Sequence, residues 1–324
     1  MKTIYLSSPI STDTLPPSTQ SKIVATIGFF DGVHRGHQHL ISQVRREAVR
    51  EGALAMVVTF DRHPRQVLDT DYRPQLLTSL DDKLFLLSKT GIDIAVVVPF
   101  DKHTAAMTAQ QFMLHTLKEQ CHVSHLIVGY DNRFGNGRTD TPADYASYGR
   151  LMGIEVSTAN AIELNGKHIS SSVVRHYLQQ GEVEMAQQCL GHPYFITGTV
   201  TEGDREGRKL GFPTANIVPH EAQQLIPANG VYSVKVRLPH SVEMKRGIMN
   251  IGTRPTFGTH QRTLEAHILQ FDDDLYGQEL RVAFVHRIRE EQTFDSPEHL
   301  MQQIQEDKEL ATQQFDKDND PEAE

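Results

Sequence analysis

Five apolar runs punctuate the first half of the chain, at residues 22–30, 53–60, 92–100, 124–130 and 154–162. Each is short, rich in Val and Ile, and lacks polar alternation, which is how strands buried on both faces read. Helical periodicity separates them. Leu40, Ile41, Val44 and Ala48 share one side of a helix over residues 36–51. Residues 109–119 and 142–152 also read as helices, the second with Thr141 as N-cap and Pro142 in the first turn. This strand–helix alternation predicts an α/β domain with a mostly parallel sheet.

The pattern then changes. Residues 171–190 read as two short helices broken at Gly181-Glu182. Beyond Pro193, strands are expected at 195–200, 230–238, 245–251, 263–271 and 279–289. Several alternate. Val231, Ser233, Lys235 and Arg237 fall on one face, and Tyr232, Val234, Val236 and Leu238 on the other. Alternation with Gly, Pro and Asn between runs predicts an antiparallel sheet or small barrel. A last helix is expected from Ser296-Pro297, with Leu300, Ile304 and Leu310 on its apolar side. The boundary falls between domains 1–188 and 189–324. Two domains are also what a length of 324 residues favours.

Charge and composition narrow the function classes. The net charge is −9, and eight acids against two bases over residues 306–324 supply most of it. That stretch reads as a solvated, partly disordered end. The remainder is close to neutral, with no basic stripe to neutralise a phosphate backbone, which argues against nucleic-acid binding. No apolar run approaches the ~18 residues a membrane span needs. Residues 1–6 are too short and soon too polar for a signal peptide. Two cysteines, Cys121 and Cys189, cannot build a disulfide framework, and a cytoplasmic enzyme is expected.

The segment Ile27-Gly28-Phe29-Phe30-Asp31-Gly32-Val33-His34-Arg35-Gly36-His37 follows a buried strand and opens an amphipathic helix. Parallel sheets bind ligands at the carboxyl ends of their strands. A helix N-terminus there offers unpaired N–H groups to phosphate. Gly28, Gly32 and Gly36 permit close backbone approach. His34 and His37, three apart at the helix entrance, are placed to donate to phosphate oxygens as charge grows on them. No Cys or third His stands at zinc spacing, so the pair reads as phosphate donors rather than metal ligands.

This segment resembles the His-x-Gly-His signature of the nucleotidyltransferase superfamily. In its longer form it resembles the adenylyltransferase half of bacterial bifunctional riboflavin kinase/FAD synthetases. Further segments are similar to that family: Thr59-Phe60-Asp61-Arg62-His63-Pro64, Val128-Gly129-Tyr130-Asp131-Asn132-Arg133-Phe134-Gly135, and Ile169-Ser170-Ser171-Ser172-Val173-Val174-Arg175. The resemblance implies ATP-binding roles for Gly28, Phe29, Asp31, Gly36, Ser171 and Ser172. It implies flavin-side roles for His63, Asp131 and Phe134, and a catalytic cation, beside His34 and His37, in Arg175. Ser172 stands where the family often has Thr, and Asn132 where Phe is frequent.

A second informative stretch runs over residues 198–216. Its glycines mark a loop able to wrap phosphate. The continuation Gly211-Phe212-Pro213-Thr214-Ala215-Asn216 resembles the signature of riboflavin kinases. By that resemblance Gly203, Gly207, Arg208, Gly211 and Pro213 bind ATP, and Thr214 and Asn216 hold Mg²⁺, an ion that favours a sparse set of oxygen ligands. Residues 247–258 and Thr263-Leu264-Glu265-Ala266-His267-Ile268 match the same family. A kinase acting on a primary alcohol needs a base, and the resemblance assigns that role to Glu265, an acid in an apolar-leaning strand where burial would sharpen its basicity. Asp273 and Asp274 read as a solvated turn.

Together these resemblances imply an N-terminal nucleotidyltransferase α/β domain (Rossmann-like, parallel sheet) and a C-terminal six-stranded antiparallel β-barrel with a closing helix. They imply ATP, riboflavin, FMN and FAD as substrates or products, small-molecule partners only, and an oligomeric state the sequence leaves open. Other classes fit less well. A class I aminoacyl-tRNA synthetase needs a basic tRNA surface and a Lys-rich second signature. A non-catalytic flavin carrier has no use for Glu265 or the phosphate histidines. A kinase with an inactive transferase half would not keep His34, His37 and Arg175.

Overall fold

A computed structural model describes residues 1–7, 22–69, 71–130, 132–160, 163–164, 167–203, 211–256 and 259–318. The chain packs as two compact units, Met1–Ser170 and Ser171–Glu324.

In the first unit the five apolar runs form strands β2 (Ile23–Ile27), β3 (Leu54–Phe60), β4 (Ile94–Val98), β5 (His125–Val128) and β6 (Glu155–Thr158). A further strand, β1 (Lys2–Tyr5), pairs parallel with β4 at the sheet edge. None of its residues is fully buried, so it carries no hydrophobic signature. The parallel sheet runs β1-β4-β3-β2-β5-β6. Chain order therefore reverses between β2 and β5, and in such sheets the crevice outside the carboxyl ends of those two strands is where ligands bind.

Helix α1 (Arg35–Glu51) buries Leu40, Ile41, Val44 and Ala48, the stripe its periodicity predicts. The other helices are α2 (Pro64–Leu68), α3 (Leu80–Lys89), α4 (Lys102–Ala106), α5 (Ala109–Phe112) and α6 (Pro142–Met152). The helix expected at 109–119 is split: α5 passes into a π-helix over Met113–Gln120. Thr141 caps α6 through a reciprocal box with Asp144. A two-stranded ribbon, β7 (Glu163–Leu164) and β8 (Lys167–His168), ends the unit.

The second unit opens with α7 (Ser171–Gln180) and α8 (Val183–Leu190), parted at Gly181-Glu182. Six strands follow: β9 (Phe195–Thr201), β10 (Ala215–Pro219), β11 (Gly230–Arg237), β12 (Met244–Thr256), β13 (Thr259–Ile268) and β14 (Glu279–Arg289). They close into an antiparallel barrel in the order β10-β13-β12-β11-β14-β9. Strand β10 has no run of its own in the hydropathy pattern, because only Ala215 and Ile217 of its residues are buried.

Alternation on β11 resolves the barrel wall. Tyr232, Val234 and Val236 are fully buried inside, where Tyr232 meets Phe284 edge-on. Val231 and Ser233, on the outer face, are buried as well, and Val231 belongs to a cluster with Ile248, Val285, Ala311 and Phe315. The helix Pro297–Asp318 lies over that wall. Its buried stripe is Asp307, Ala311 and Phe315, and Leu310, expected on that side, is exposed. The helix thus turns a different face inward from the one Leu310 marks. The acidic stretch is also corrected. Residues 306–318 are helical, and Asp307 is a buried carboxylate that accepts three hydrogen bonds from Arg289.

A second ion cluster ties α8 and the last helix to β14. His286 faces Glu184 at 3.4 Å and Asp318 at 3.1 Å. The Glu184 carboxylate raises the His286 imidazole above its usual value, against partial burial, with Asp318 adding to the rise. A folded value above the unfolded one stabilises fully below the unfolded pKa of ~6.5 and is lost as pH rises through the folded value. We therefore expect the melting temperature of the second unit to fall as pH is raised from 6 towards 8. In His286→Gln that slope should flatten, measured by scanning calorimetry, with a loss at pH 6 on the order of 1 kcal/mol or less.

Candidate active sites

In the first unit the turn after β2 builds a mouth at the start of α1. Phe30, Gly32 and Val33 all have positive φ, at 56°, 76° and 41°. For the β-branched Val33 this is a strained conformation, of the kind that concentrates at functional sites. The turn is held from outside. Asp31 accepts hydrogen bonds from the backbone N–H groups of Leu77 and Thr78, and the Thr78 hydroxyl receives the Gly32 N–H. Asp31 is thus 3% exposed and clamps the turn onto the segment leading into α3.

His34 is the N-cap of α1, a position more often filled by Ser, Thr, Asp or Asn. Its Nδ1 accepts the His37 backbone N–H at 3.3 Å. A neutral His34 therefore carries its proton on Nε2. The two imidazoles stack at 3.6 Å between centroids and 19° between planes, and His37 meets the Phe30 ring edge-on. Burial, with His34 and Lys83 nearby, holds His37 well below its ordinary value, so it is neutral at pH 7. Its Nδ1 is buried with no hydrogen-bond partner among the described residues. Gly36 leaves little room for a side chain here: a Cβ would stand 3.1 Å from the His34 ring and 3.3 Å from the Ile169 carbonyl.

The other residues predicted for adenylylation occupy several elements. Phe29 and His63 meet edge to face at 5.0 Å, and His63 also caps α2 through Nδ1. Phe134 is 8% exposed, stacks on Tyr145 at 4.4 Å and belongs to the core under the β5 loop. Asn132 donates its amide to the Ile27 carbonyl, fastening that loop to the end of β2 across the switch point. Ser171, Ser172 and Arg175 occupy the first turns of α7. Asp131, Gly207 and Arg208 lie outside the described residues.

The buried Lys83, on α3, escaped the sequence reading. A lysine directly after a pair of aspartates reads as an ordinary solvated helix charge, and only packing reveals otherwise. A further cluster of Glu47, Glu51 and His125 has metal-like composition. Glu51 and Ser157 engage the two ring nitrogens of His125 at 2.7 and 2.8 Å, however, so the group reads as a buried tie between α1 and the amino end of β5.

In the second unit, register assembles the site. Asn216 of β10 pairs with Glu265 of β13, and Glu265 pairs with Asn250 of β12. The three side chains form a row across adjacent strands on the outer face, while Ala215, Leu264, Ala266 and Ile251 are buried in the wall. Glu265 is therefore half-buried among polar neighbours, not embedded in the apolar interior that its strand composition led us to expect. His267, two residues on and on the same face, bonds the Pro213 carbonyl through Nδ1 at 2.8 Å and meets Phe212 edge-on. It anchors the turn that carries Thr214. Gly203 is the complementary cradle, since a Cβ there would fall 2.0 Å from the Asn216 amide nitrogen. Gly211 has φ 83° and is exposed. A cavity beside Thr214 is lined by Pro213, Ile268, Phe271 and the turn Asp272–Tyr276, so that turn borders the site.

A parallel sheet with a histidine pair at its switch point, joined to a barrel with a carboxylate between two asparagines, defines a two-domain transferase of phosphorylated small molecules. Comparison with known proteins sharpens the class. The sequence matches the FAD synthetase family over residues 16–173 and the riboflavin kinase family over residues 190–315. It is 38% identical to the bifunctional riboflavin kinase/FMN adenylyltransferase of Escherichia coli K12, covering 93% of this chain and 95% of that one. It is 39% identical to the protein of the same description from Listeria monocytogenes, covering 95% and 96%. A crystal structure described as a macrolide-efflux protein from Streptococcus pneumoniae superimposes with a TM-score of 0.86 and 29% identity, over 96% of this chain and 99% of that one. Among the described residues, no helix is long and apolar enough to cross a membrane. The chain belongs to the bifunctional riboflavin kinase/FMN adenylyltransferase family, and it is an enzyme with both a kinase and an adenylyltransferase region.

Proposed function

We propose that the barrel unit transfers the γ-phosphoryl of ATP to the ribityl 5′-hydroxyl of riboflavin, with Glu265 as general base. The sheet unit then lets the FMN phosphate attack the α-phosphorus of a second ATP, releasing pyrophosphate and FAD. One observation carries the kinase assignment: Glu265 is held in register between Asn216 and Asn250. The amides keep a polar surround for a carboxylate that must take a proton from an alcohol.

The Thr214 hydroxyl, the Asn216 amide oxygen and the nearby Glu265 carboxylate form an all-oxygen donor set of the kind Mg²⁺ prefers. Gly203 leaves room for Asn216. Thr214 and Asn216 would hold the ion with the nucleotide, and the ion would neutralise charge on the transferring phosphoryl group. Gly203, Gly207, Arg208, Gly211 and Pro213 contribute the ATP-binding loop.

In the sheet unit, His34 and His37 donate N–H groups to the α-phosphate as its charge grows, at the positive end of α1. Gly28, Phe29, Asp31 and Gly36 shape the mouth, and His63, Asp131 and Phe134 serve the flavin side. On the resemblance alone, Ser171, Ser172 and Arg175 are assigned to the same adenylyl transfer. Neither step requires a covalent enzyme intermediate; positioning and charge stabilisation carry both. Substrates are small molecules, and the reactions belong in the cytoplasm.

The test is a time course of the wild-type protein with riboflavin, ATP and Mg²⁺, products separated by chromatography. FMN is expected first and FAD after it, with FAD formed directly when FMN is supplied. Riboflavin left unchanged would overturn the kinase assignment, and FMN left unchanged the adenylylation.

A further inference from the structure

Lys83 is a charged side chain with no role in the chemistry above, and it is only 2% exposed. Its ammonium donates to the Phe60 carbonyl, at the carboxyl end of β3, at 2.8 Å. It also stands 4.2 Å from the centroid of the Phe29 ring. An ammonium has three donors, and the Phe60 carbonyl is its one hydrogen-bond acceptor among the described residues. Among the described residues no carboxylate forms a salt bridge with it, and Asp31 and Asp61 act on it electrostatically. Burying a cation with so little direct compensation is costly, and a leucine or methionine would fill the space on α3 without that cost. Both groups it is seen to contact lie at the carboxyl ends of β3 and β2, beside the turn that leads to His34 and His37. Phe29 follows β2 and meets His63 edge to face. The Thr59 hydroxyl donates to the Phe29 carbonyl at 3.1 Å, so the ends of β2 and β3 are already laced together there.

We propose that Lys83 is a positioning residue for adenylyl transfer, its buried ammonium pinning the Phe29 ring to the end of β3 and setting a fixed positive charge within electrostatic reach of His37. The inference rests on the adenylyltransferase reading of the sheet unit. Burial lowers the ammonium to about 8, with Asp31 and Asp61 opposing the fall, so it is charged at neutral pH. Burial chiefly disfavours a second proton on His37, with His34 and then the Lys83 charge adding to it. A singly protonated His37 keeps one N–H to donate and one nitrogen to accept.

The experiment compares wild type, Lys83→Met and Lys83→Arg in the full chain, with FMN, ATP and Mg²⁺. In Lys83→Met, kcat for FAD formation should fall ~10-fold or more, as expected for a displaced reacting group, while KM for ATP changes little. The acid limb of its pH profile should move to higher pH, the direction set by losing a neighbouring positive charge. Lys83→Arg should leave that limb in place. A second readout does not depend on activity: the His37 imidazole resonance, assigned with His37→Gln, should titrate at higher pH in Lys83→Met. In wild type the same resonance should sense a step near pH 8 as Lys83 loses its proton, which decides the matter if the Met variant does not fold. An unmoved limb with an unmoved His37 titration, or a wild-type resonance blind to the Lys83 step, overturns the proposal. Failure of wild type to make any FAD would instead overturn the adenylyltransferase reading, and the resonance would still report on Lys83.

Discussion

Glu265→Gln should abolish FMN formation from riboflavin while leaving the conversion of FMN to FAD largely intact. The substitution is nearly isosteric. The row Asn216–Glu265–Asn250 keeps its register, because backbone pairing on both sides of β13 sets it. What disappears is the one group in that row able to accept a proton from the ribityl hydroxyl. General-base loss of this kind costs on the order of 10²–10⁴-fold. Stability should change little, since the residue is half-buried on the outer face and the wall beneath it is Leu264, Ala266 and Met249. Two assays on one preparation check it, one starting from riboflavin and the other from FMN. The second is the internal control, because the residues assigned to adenylylation do not include Glu265 or its partners in the row. Equal loss of both products would count against separate sites.

The reciprocal result is expected for the histidine pair. His34→Ala with His37→Ala should lower FAD formation from FMN by ~10²-fold or more, the scale of losing donors aimed at a developing oxyanion. FMN formation should persist. Here the structure adds a confounding effect that the sequence did not show. His34 is the N-cap of α1, so its removal also costs ~1 kcal/mol of helix stability. His34→Asn separates the two contributions: asparagine restores the cap but cannot place an imidazole N–H on phosphate. If His34→Asn recovers the melting temperature and not the activity, His34 is a phosphate donor as well as a cap. If it recovers both, His34 acts by holding the turn, and the donor role falls to His37 alone.

Much of this organisation is legible in the residue order. Two periodicities separate a sheet unit from a barrel unit, and local motifs mark the turn after β2 and the loop before β10 as candidate sites. The turn at residues 28–37 reads correctly because its signal is local: glycines, a strand before, a helix after. Asn132 illustrates the opposite case. Its position in a loop says nothing of its partner, the Ile27 carbonyl, which is 105 residues away in sequence. His267 likewise reads as a strand histidine until the fold brings it to the Pro213 carbonyl. The last helix misled for a related reason. Leucine at position 310 is apolar, yet the side that meets the barrel is set by Ala311 and Phe315 fitting over Val231 and Ile248.

By itself, the sequence determined the two classes of secondary structure, their order, and the residue types able to bind phosphate and move a proton, because hydrophobic period, turn chemistry and side-chain pKa are properties of neighbours along the chain. Tertiary structure alone decided which of those residues meet. Strand register placed Glu265 between Asn216 and Asn250, the β2–β5 switch point brought two distant loops together, and packing buried Lys83 against Phe29. Such contacts depend on how distant surfaces fit, and that information resides in no single stretch of residues.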